Sequence, residues 1–195
     1  EPASSDSFIN KPAFWLIGLG VGLLLGSDQA LLTSLIPYGE ERGFTTQQAT
    51  SLMIPMTFSA IAGKLIVGWL AERFNKALLF ALVCLSNIVF LIAVLLAPSY
   101  SQLMIIAGLV GLAIGGVYPV WTTLVAHYFG RNNFAKAIGA MNLITVPLMI
   151  VSITIAGRTH DMTGNYDLAF KIFIPQVILA ALVILFLRGT AKAPS

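Results

Sequence analysis

Charged residues are scarce in this chain of 195 residues. Lys, Arg, Asp and Glu make up 10% of it, whereas hydrophobic residues make up 57% and the mean hydropathy is +0.89. A soluble domain carries about 25% charged residues. So few polar groups could not cover the surface of the protein in water. This excludes a secreted disulfide scaffold, a disordered chain and an ordinary cytosolic enzyme.

Other absences narrow the function further. The single cysteine, Cys84, can form no intrachain disulfide. The net charge of +3 comes from only 11 Lys and Arg, so the basic balance does not indicate nucleic-acid binding. No Ser/His pair and no metal-ligand spacing lies within an apolar run, so we predict no catalytic residue, no metal site and no cofactor. The sequence opens EPASSDSFINK, without a signal-peptide pattern, and we predict it to be the remains of a loop.

Long apolar runs fill the rest of the chain and predict six transmembrane helices, because each crossing needs about 20 apolar residues. Strands of a membrane barrel would alternate in polarity and these runs do not, so the predicted fold class is all-α. We expect a polar loop remnant at 1–11, a six-helix unit at 12–188 and a solvated tail at 189–195. The predicted spans cover residues 12–37, 48–71, 77–97, 102–127, 134–157 and 168–187.

The basic residues predict the orientation of these spans. With six crossings, both termini and the connections after the second and fourth spans share one side. That side carries seven Lys and Arg, against three on the other, so the positive-inside rule places both termini in the cytoplasm of a multi-pass cell-membrane protein. The seven are Lys11, Arg73, Lys76, Arg131, Lys136, Arg188 and Lys192, and the three are Arg42, Arg158 and Lys171.

An internal repeat relates the first and fourth predicted spans. A shift of 89 residues lays GLLLGSDQALLTSLI (22–36) over GLAIGGVYPVWTTLV (111–125), with five identical positions. The fourth span crosses in the opposite direction from the first, so the repeat predicts a three-plus-three inverted arrangement, as in one half of many secondary transporters. The alternative is chance similarity between two glycine-rich helices.

Glycines four residues apart recur in the same two spans. Gly18, Gly22 and Gly26 form a double GxxxG pattern, and Gly111 and Gly115 form another. Small residues at this spacing let helix backbones approach closely in lipid. We interpret both patterns as packing surfaces, which would also allow neighbouring helices to slide.

Two ionisable residues, Asp28 and Lys64, lie well inside predicted spans. A charge at a helix centre costs at least about 2.5–3.5 kcal/mol in a membrane, so neither should face lipid. The predicted depths of their backbones differ by roughly 10 Å. Three arrangements stay open: a direct ion pair, a water-lined cavity that displays both, and a purely structural polar contact.

Further polar residues accompany these two and complete the predicted substrate site. Gln29 follows Asp28, and the repeat places Tyr118 at the position equivalent to Gln29. Asn142 lies within the fifth span. We therefore expect Lys64, Asp28, Gln29, Tyr118 and Asn142 to contact substrate, with Asp28 also a coupling site.

The connection after the second span, GWLAERFNK, carries a recognisable motif. It resembles the cytoplasmic loop motif G-x-x-x-D-R-x-G-R-K of the major facilitator superfamily, with Gly68, Glu72, Arg73 and Lys76 in matching positions. Glu72 replaces the usual Asp and Asn75 the usual Gly. The resemblance implies a conformational latch: the glycine allows close helix packing, and the acid pairs with a neighbouring base or helix terminus.

The resemblance extends over nearly the whole chain, from about residue 11 to 188. The segment GLAIGGVYPVWTTLVAHYFGRNNFAKAIGAMNL, followed by DMTGNYDLAF, is similar to the monocarboxylate-porter and oxalate–formate antiporter branch. The chain looks like the C-terminal six-helix half of such a transporter. In that branch a basic residue one turn before the motif glycine engages the substrate carboxylate, and Lys64 holds that position. Many of these porters carry an Asp one turn earlier, where this chain has Ala60.

These features together predict half of a secondary transporter that moves a small organic anion, such as a mono- or dicarboxylate, by alternating access. Coupling would be to protons or by exchange, and Asp28 would carry a proton or balance Lys64. The expected partners are the anion, protons, the lipid bilayer and a second six-helix half, either a missing N-terminal half or a second copy. One alternative is a proton-driven exporter of drugs or other metabolites, and another is a non-transporting membrane receptor or assembly factor.

Overall fold

The computed structural model describes residues 8–96 and 99–190, with side chains as far as Leu187, and this part of the chain is helical with no strands. The predicted all-α class is confirmed there. The predicted loop remnant and tail fall largely outside it, at residues 1–7 and 191–195. The helices are α1 Pro12–Glu41, α2 Thr46–Ser51, α3 Met53–Arg73, α4 Lys76–Leu95, α5 Tyr100–Thr163 and α6 Asp167–Thr190.

Five stretches in the described residues are long and apolar enough to cross a membrane: α1, α2 with α3, α4, α5 and α6. Residues at the breaks between these stretches form first turns and caps that fix where the helices begin. Pro12 occupies the first turn of α1, where its missing N–H costs nothing. The Asn75 side chain accepts hydrogen bonds from Ala77 and Leu78 at the start of α4, and a capping box with Ser99 at the N-cap opens α5.

The longest helix, α5, is interrupted at one residue. Its 64 residues would extend about 96 Å as a straight rod, against a membrane core of about 30 Å. Gly130 breaks it with φ 71° and ψ 172°, a conformation that glycine adopts without steric cost. The connection expected between the predicted spans 102–127 and 134–157 is therefore a one-residue break followed by a helical turn, on which Arg131 and Asn132 are exposed. We call 100–129 and 131–163 the first and second segments of α5.

The closest helix contact lies between α3 and the first segment of α5. A Cβ atom on Gly111 would collide with the carbonyl oxygen of Met56, and one on Gly115 with that of Ala60. Gly63 of α3 contacts the α5 backbone in the same way. The packing interpretation of the second GxxxG pattern is confirmed, because only residues without a side chain permit this approach.

The first GxxxG pattern packs α1 against the second segment of α5. A Cβ on Gly22 would lie 2.6 Å from Cδ1 of Leu148, and one on Gly26 would lie 2.5 Å from Oγ of Ser152. The packing role predicted for this pattern is confirmed as well. α6 joins the same contact, since Nε2 of Gln176 donates hydrogen bonds to the Leu23 carbonyl and to Ser152 Oγ.

Burial differs sharply between the helices. Within the most apolar window of each stretch, 67% of α1 is buried but only 17% of α2 with α3. α3 therefore touches the other helices along one narrow face and leaves the rest of its surface uncovered. Its exposed large apolar side chains are Ile54, Phe58, Ile61, Leu65, Ile66 and Trp69.

We expect Gly111→Ala to destabilise the protein by about 1–3 kcal/mol, because the added methyl group must push α3 away from α5. Thermal unfolding in detergent would measure the loss as a lower Tm. Gly157→Ala is the matched control in the same helix, since a Cβ there meets no atom within 4 Å. An equal Tm for the two variants would contradict the close contact.

Candidate functional site

Lys64 projects from the uncovered surface of α3. It is the twelfth of the 21 residues in this helix, and its side chain is exposed. One turn later, a Cβ on Gly68 would lie 3.8 Å from Cβ of Pro119, so α3 passes close to α5 beside Lys64. The lysine therefore stands near the middle of a membrane-length helix whose backbone is held against α5.

Two other predicted site residues are also exposed. Tyr118, on the first segment of α5, is 45% exposed, and Asn142, on the second segment, is exposed as well. Oδ1 of Asn142 lies 3.4 Å from Oγ1 of the buried Thr145, which can donate a hydrogen bond to it. Gln29 of α1 is half-buried.

Asp28 has the opposite environment. Its side chain is 1% exposed, and its Oδ2 atom is buried without a hydrogen-bond partner. The surrounding α1 residues Leu24 and Leu31 are buried in the apolar core. An ionised carboxylate in such surroundings is costly unless a cation or several donors compensate it. Asp28 forms no ion pair with any residue that the structure describes, Lys64 included.

The structure therefore divides the five predicted residues. Lys64, Tyr118 and Asn142 are exposed on α3 and on both segments of α5, whereas Asp28 lies in the interior of the helix bundle. Of the three arrangements left open by the sequence, the direct ion pair between Asp28 and Lys64 does not form.

The residues of the loop motif lie where α3 ends and α4 begins. The guanidinium carbon of Arg73 lies 4.1 Å from the centre of the Trp69 ring, a cation–π contact. Glu72 is exposed, and Lys76 opens α4 with its side chain partly exposed. Glu72 has no ion pair within the described part of the chain, so its carboxylate is accessible to a base outside it.

Sequence reasoning missed an ionic cluster where α1 ends and α6 begins. Nη2 of Arg42 lies 2.9 Å from Oδ1 of Asp167, and Nε2 of His160 lies 2.8 Å from Oε1 of Glu41. The His160 ring stacks on Tyr166 at 4.5 Å between centroids. These contacts tie α1, α5 and α6 together at one end of the bundle.

The surroundings of this cluster raise the pKa of one tyrosine that lies outside the apolar runs. Burial raises the pKa of the Tyr166 phenol above its usual value, and the nearby carboxylates of Glu41 and Asp161 act in the same direction. The phenol therefore stays protonated at neutral pH. The charges that flank the polar breaks were visible in the sequence, but their pairing across 125 residues was not.

The other residue that sequence reasoning missed is Trp121. It is 4% exposed, and its indole Nε1 is buried without a hydrogen-bond partner. Its ring centroid lies 6.0 Å from that of Tyr118. Trp121 is therefore buried in the core and packs beside Tyr118, an exposed residue of the predicted site.

The family model for the Major Facilitator Superfamily matches residues 18–195. The chain belongs to this superfamily. It is a multi-pass membrane protein of a transporter family, which favours a small-molecule substrate and disfavours an enzyme. The match begins within α1 and includes α2 to α6 and all the predicted site residues.

The individual relatives have low sequence identity to this chain and are longer than it. Monocarboxylate transporter 12 of Homo sapiens is 27% identical over 198 residues, which cover 93% of this chain and 36% of that protein. The cyanate transport protein CynX of Escherichia coli (strain K12) is 26% identical and covers 91% and 46%. The chain therefore spans less than half the length of these relatives and is related to the monocarboxylate porter branch.

Solved structures agree with the fold. The POT family transporter PepTSo matches 94% of this chain and 38% of its own with a TM-score of 0.76 at 14% identity. An auto-inhibited POT family peptide transporter gives 0.73 at 18% identity. At these identities the likeness concerns the helix arrangement alone.

Cysteine accessibility would test the division between exposed and buried site residues. In a Cys84→Ser background of the full-length protein, we expect Lys64→Cys and Tyr118→Cys to react with a charged, membrane-impermeant thiol reagent. Asp28→Cys should react far more slowly, because its side chain is buried in the folded bundle, where a bulky charged reagent cannot enter. Equal labelling of Asp28→Cys and Tyr118→Cys would contradict the buried position, and no labelling of Lys64→Cys would place that residue against lipid.

Proposed function

We propose that the chain is one half of a secondary transporter that binds a small organic anion at Lys64 and moves it by alternating access. The observation that carries this proposal is a cation on an uncovered surface near the middle of a membrane-length helix. Such a charge is costly in a membrane unless it faces water or an anion. The names of two relatives, a monocarboxylate transporter and a cyanate transport protein, both denote anionic cargo.

The proposed architecture has six crossings in two inverted sets of three. The break at Gly130 supports it, because two segments of about 30 residues each span a membrane core of about 30 Å, whereas one rod of 64 residues does not fit. The helices before and after the break would then run in opposite directions. The basic residues favour a cytoplasmic location for both termini. In a bacterium with two membranes, the protein would lie in the cell inner membrane.

A second six-helix half would complete the site. The uncovered surface of α3 and the exposed Tyr118 and Asn142 support this, because a cavity needs walls on both sides. The matched region covers only 36% and 46% of the length of these two relatives, which favours a missing N-terminal half over a second copy. Substrate would be held between the halves by Lys64, Tyr118 and Asn142, with Gln29 at the edge.

Glu72 and Arg73 would act as a latch between the halves. Glu72 is exposed at the end of α3 beside the Arg73–Trp69 contact, where a base or a helix terminus of the other half could pair with it. Pairing would stabilise one conformation of the transporter, and opening would break it. Gly68 and Lys76 would position this segment between α3 and α4.

Asp28 would be the coupling site. Its carboxyl group can bind and release a proton, and its Oδ2 atom is buried without a hydrogen-bond partner, so a conformational change that alters these surroundings would alter proton binding. Because it lies away from the exposed residues, it would act on substrate through the packing of α1 and not as a direct partner of Lys64.

We expect Lys64→Gln to fold and insert normally but to lose about 10- to 100-fold in anion affinity, the usual value of a charge-assisted contact. Lys64→Arg should retain part of the affinity because the charge remains. Calorimetry of the purified full-length protein with a panel of mono- and dicarboxylates would measure this. The control is Lys171→Gln, the same change at an exposed lysine near the start of α6.

Unchanged affinity in Lys64→Gln would overturn the organic-anion proposal. The proton-driven exporter of drugs or other metabolites would then be favoured, with Asp28 as its proton carrier. Absence of any small-molecule binding, in a full-length protein that folds, would favour a receptor or an assembly factor.

We expect Asp28→Asn to abolish proton-driven accumulation while sparing the exchange of labelled for unlabelled substrate, because the amide cannot release a proton. Uptake into proteoliposomes with and without a pH gradient separates the two activities. Asp161→Asn, an exposed acid in α5, is the control. If proton-driven uptake survives in Asp28→Asn, this carboxylate is structural.

A further inference from the structure

Two buried side-chain atoms in residues 8–96 and 99–187 have no hydrogen-bond partner, and they are chemically complementary. Oδ2 of Asp28 is an acceptor and Nε1 of Trp121 is a donor. Each side chain is more than nine-tenths buried. Buried polar groups are nearly always hydrogen-bonded. An acceptor and a donor that both lack a partner in the same core can be satisfied by one molecule that binds to both.

The positions of the two residues can be compared from their spacing along the sequence and one ring contact between α1 and α5. Near one end of the bundle, the rings of Phe14 in α1 and Phe129 in the first segment of α5 are 6.4 Å apart. Asp28 follows Phe14 by 14 residues, close to four full turns, so it occupies nearly the same face of α1. Trp121 precedes Phe129 by eight residues, a little over two turns, so it points about 80° away from Phe129 around the axis of α5.

Their depths in the bundle are also close. From the level of the two phenylalanines, Asp28 lies about 21 Å along α1 and Trp121 about 12 Å along α5, a difference of about 9 Å. The two helices run in opposite directions, and each Cα–Cβ bond tilts toward the start of its own helix. The Asp28 and Trp121 side chains therefore lean toward each other and shorten this interval.

α4 provides the third wall of the space between them. Cys84 of α4 is buried and lies close enough to Asp28 to interact with it electrostatically. Nearby, Asn87 is buried and donates to the carbonyl of Val83 in its own helix, so this donor is not available to Asp28.

We propose that Asp28 and Trp121 form an internal water site between α1, α4 and α5. One water molecule would accept a hydrogen bond from the indole N–H of Trp121 and donate one to Oδ2 of Asp28. This satisfies both orphan atoms and gives the water the two or more polar partners that a buried water requires. The bridge supplies a donor for Oδ2 of Asp28, which has none among residues 8–96 and 99–187.

The water site would connect the interior to the exposed surface. The Trp121 ring packs against Tyr118, which is 45% exposed, at 6.0 Å between centroids. A ligand that moves Tyr118 would displace Trp121 and with it the donor that holds the water on Asp28. Trp121 is thus a positioning residue, and its role in coupling rests on the proposed function, whereas the water site does not.

Nuclear magnetic resonance of the full-length protein, labelled with ¹⁵N-tryptophan and held in lipid nanodiscs, would test the site. The Trp121 indole signal is assigned by its loss in Trp121→Phe. We expect Asp28→Ala to move this signal clearly, because the bridge loses its acceptor. The indole of Trp15, which donates to the carbonyl of Ile9 at 2.9 Å, should not move.

Ser27→Ala is the matched control, since it removes a neighbouring buried polar group of α1. A shift of the Trp121 signal no larger in Asp28→Ala than in Ser27→Ala overturns the proposal. If Asp28→Ala does not fold, Asp28→Asn makes the same comparison, with a smaller shift expected because an oxygen acceptor remains. Magnetisation transfer from water to the Trp121 indole proton is expected, and its absence overturns the water bridge.

A transport assay tests the coupling role separately. Trp121→Phe keeps the aromatic ring but removes the donor, so we expect it to lose most proton-driven uptake and to retain exchange, with Trp15→Phe as the control. Normal proton-driven uptake in Trp121→Phe overturns the positioning role. If instead the resonance shifts occur while Asp28→Asn transports normally, the water site stands and the proposed coupling by Asp28 fails.

Discussion

The cost of charge inside a membrane is the constraint on which this structure depends. A chain with 10% charged residues places nearly all of them at helix ends and keeps only Asp28 and Lys64 well inside the apolar runs. The two residues have different environments. Asp28 is buried in the bundle, and Lys64 lies on an uncovered surface. An ionised group is costly to bury without a partner, and it is less costly on an uncovered surface that water or a ligand can reach.

Glycine contacts make that division possible. Lipid offers no hydrophobic drive for helix association, so the helices are held by close backbone approach. Gly111 and Gly115 bring α5 onto α3, and Gly22 and Gly26 bring α5 onto α1. α5 thereby touches both helices that carry an ionisable residue. Its two segments meet at Gly130.

The ionic cluster at the end of α1 acts in the opposite sense, by restricting movement. Arg42 with Asp167 and Glu41 with His160 join α1 to α6 and to the end of α5. All four residues lie outside the apolar core, where water screens the charges and each pair contributes little alone. Together with the stacked Tyr166 they tie three helix ends, so motion of α1 would be concentrated toward its other end.

Sequence by itself determined the all-α class, the close helix contacts at the two GxxxG patterns and the superfamily, because hydropathy, residue size and the motif around Gly68 are local properties of the chain. It also singled out Asp28 and Lys64, since charge in an apolar run is visible without a structure. Only the tertiary structure decided that these two do not pair, that Trp121 lies unsatisfied in the core and that Arg42 meets Asp167. Each of these depends on how the helices are rotated about their axes, which is set by packing between residues far apart in the chain.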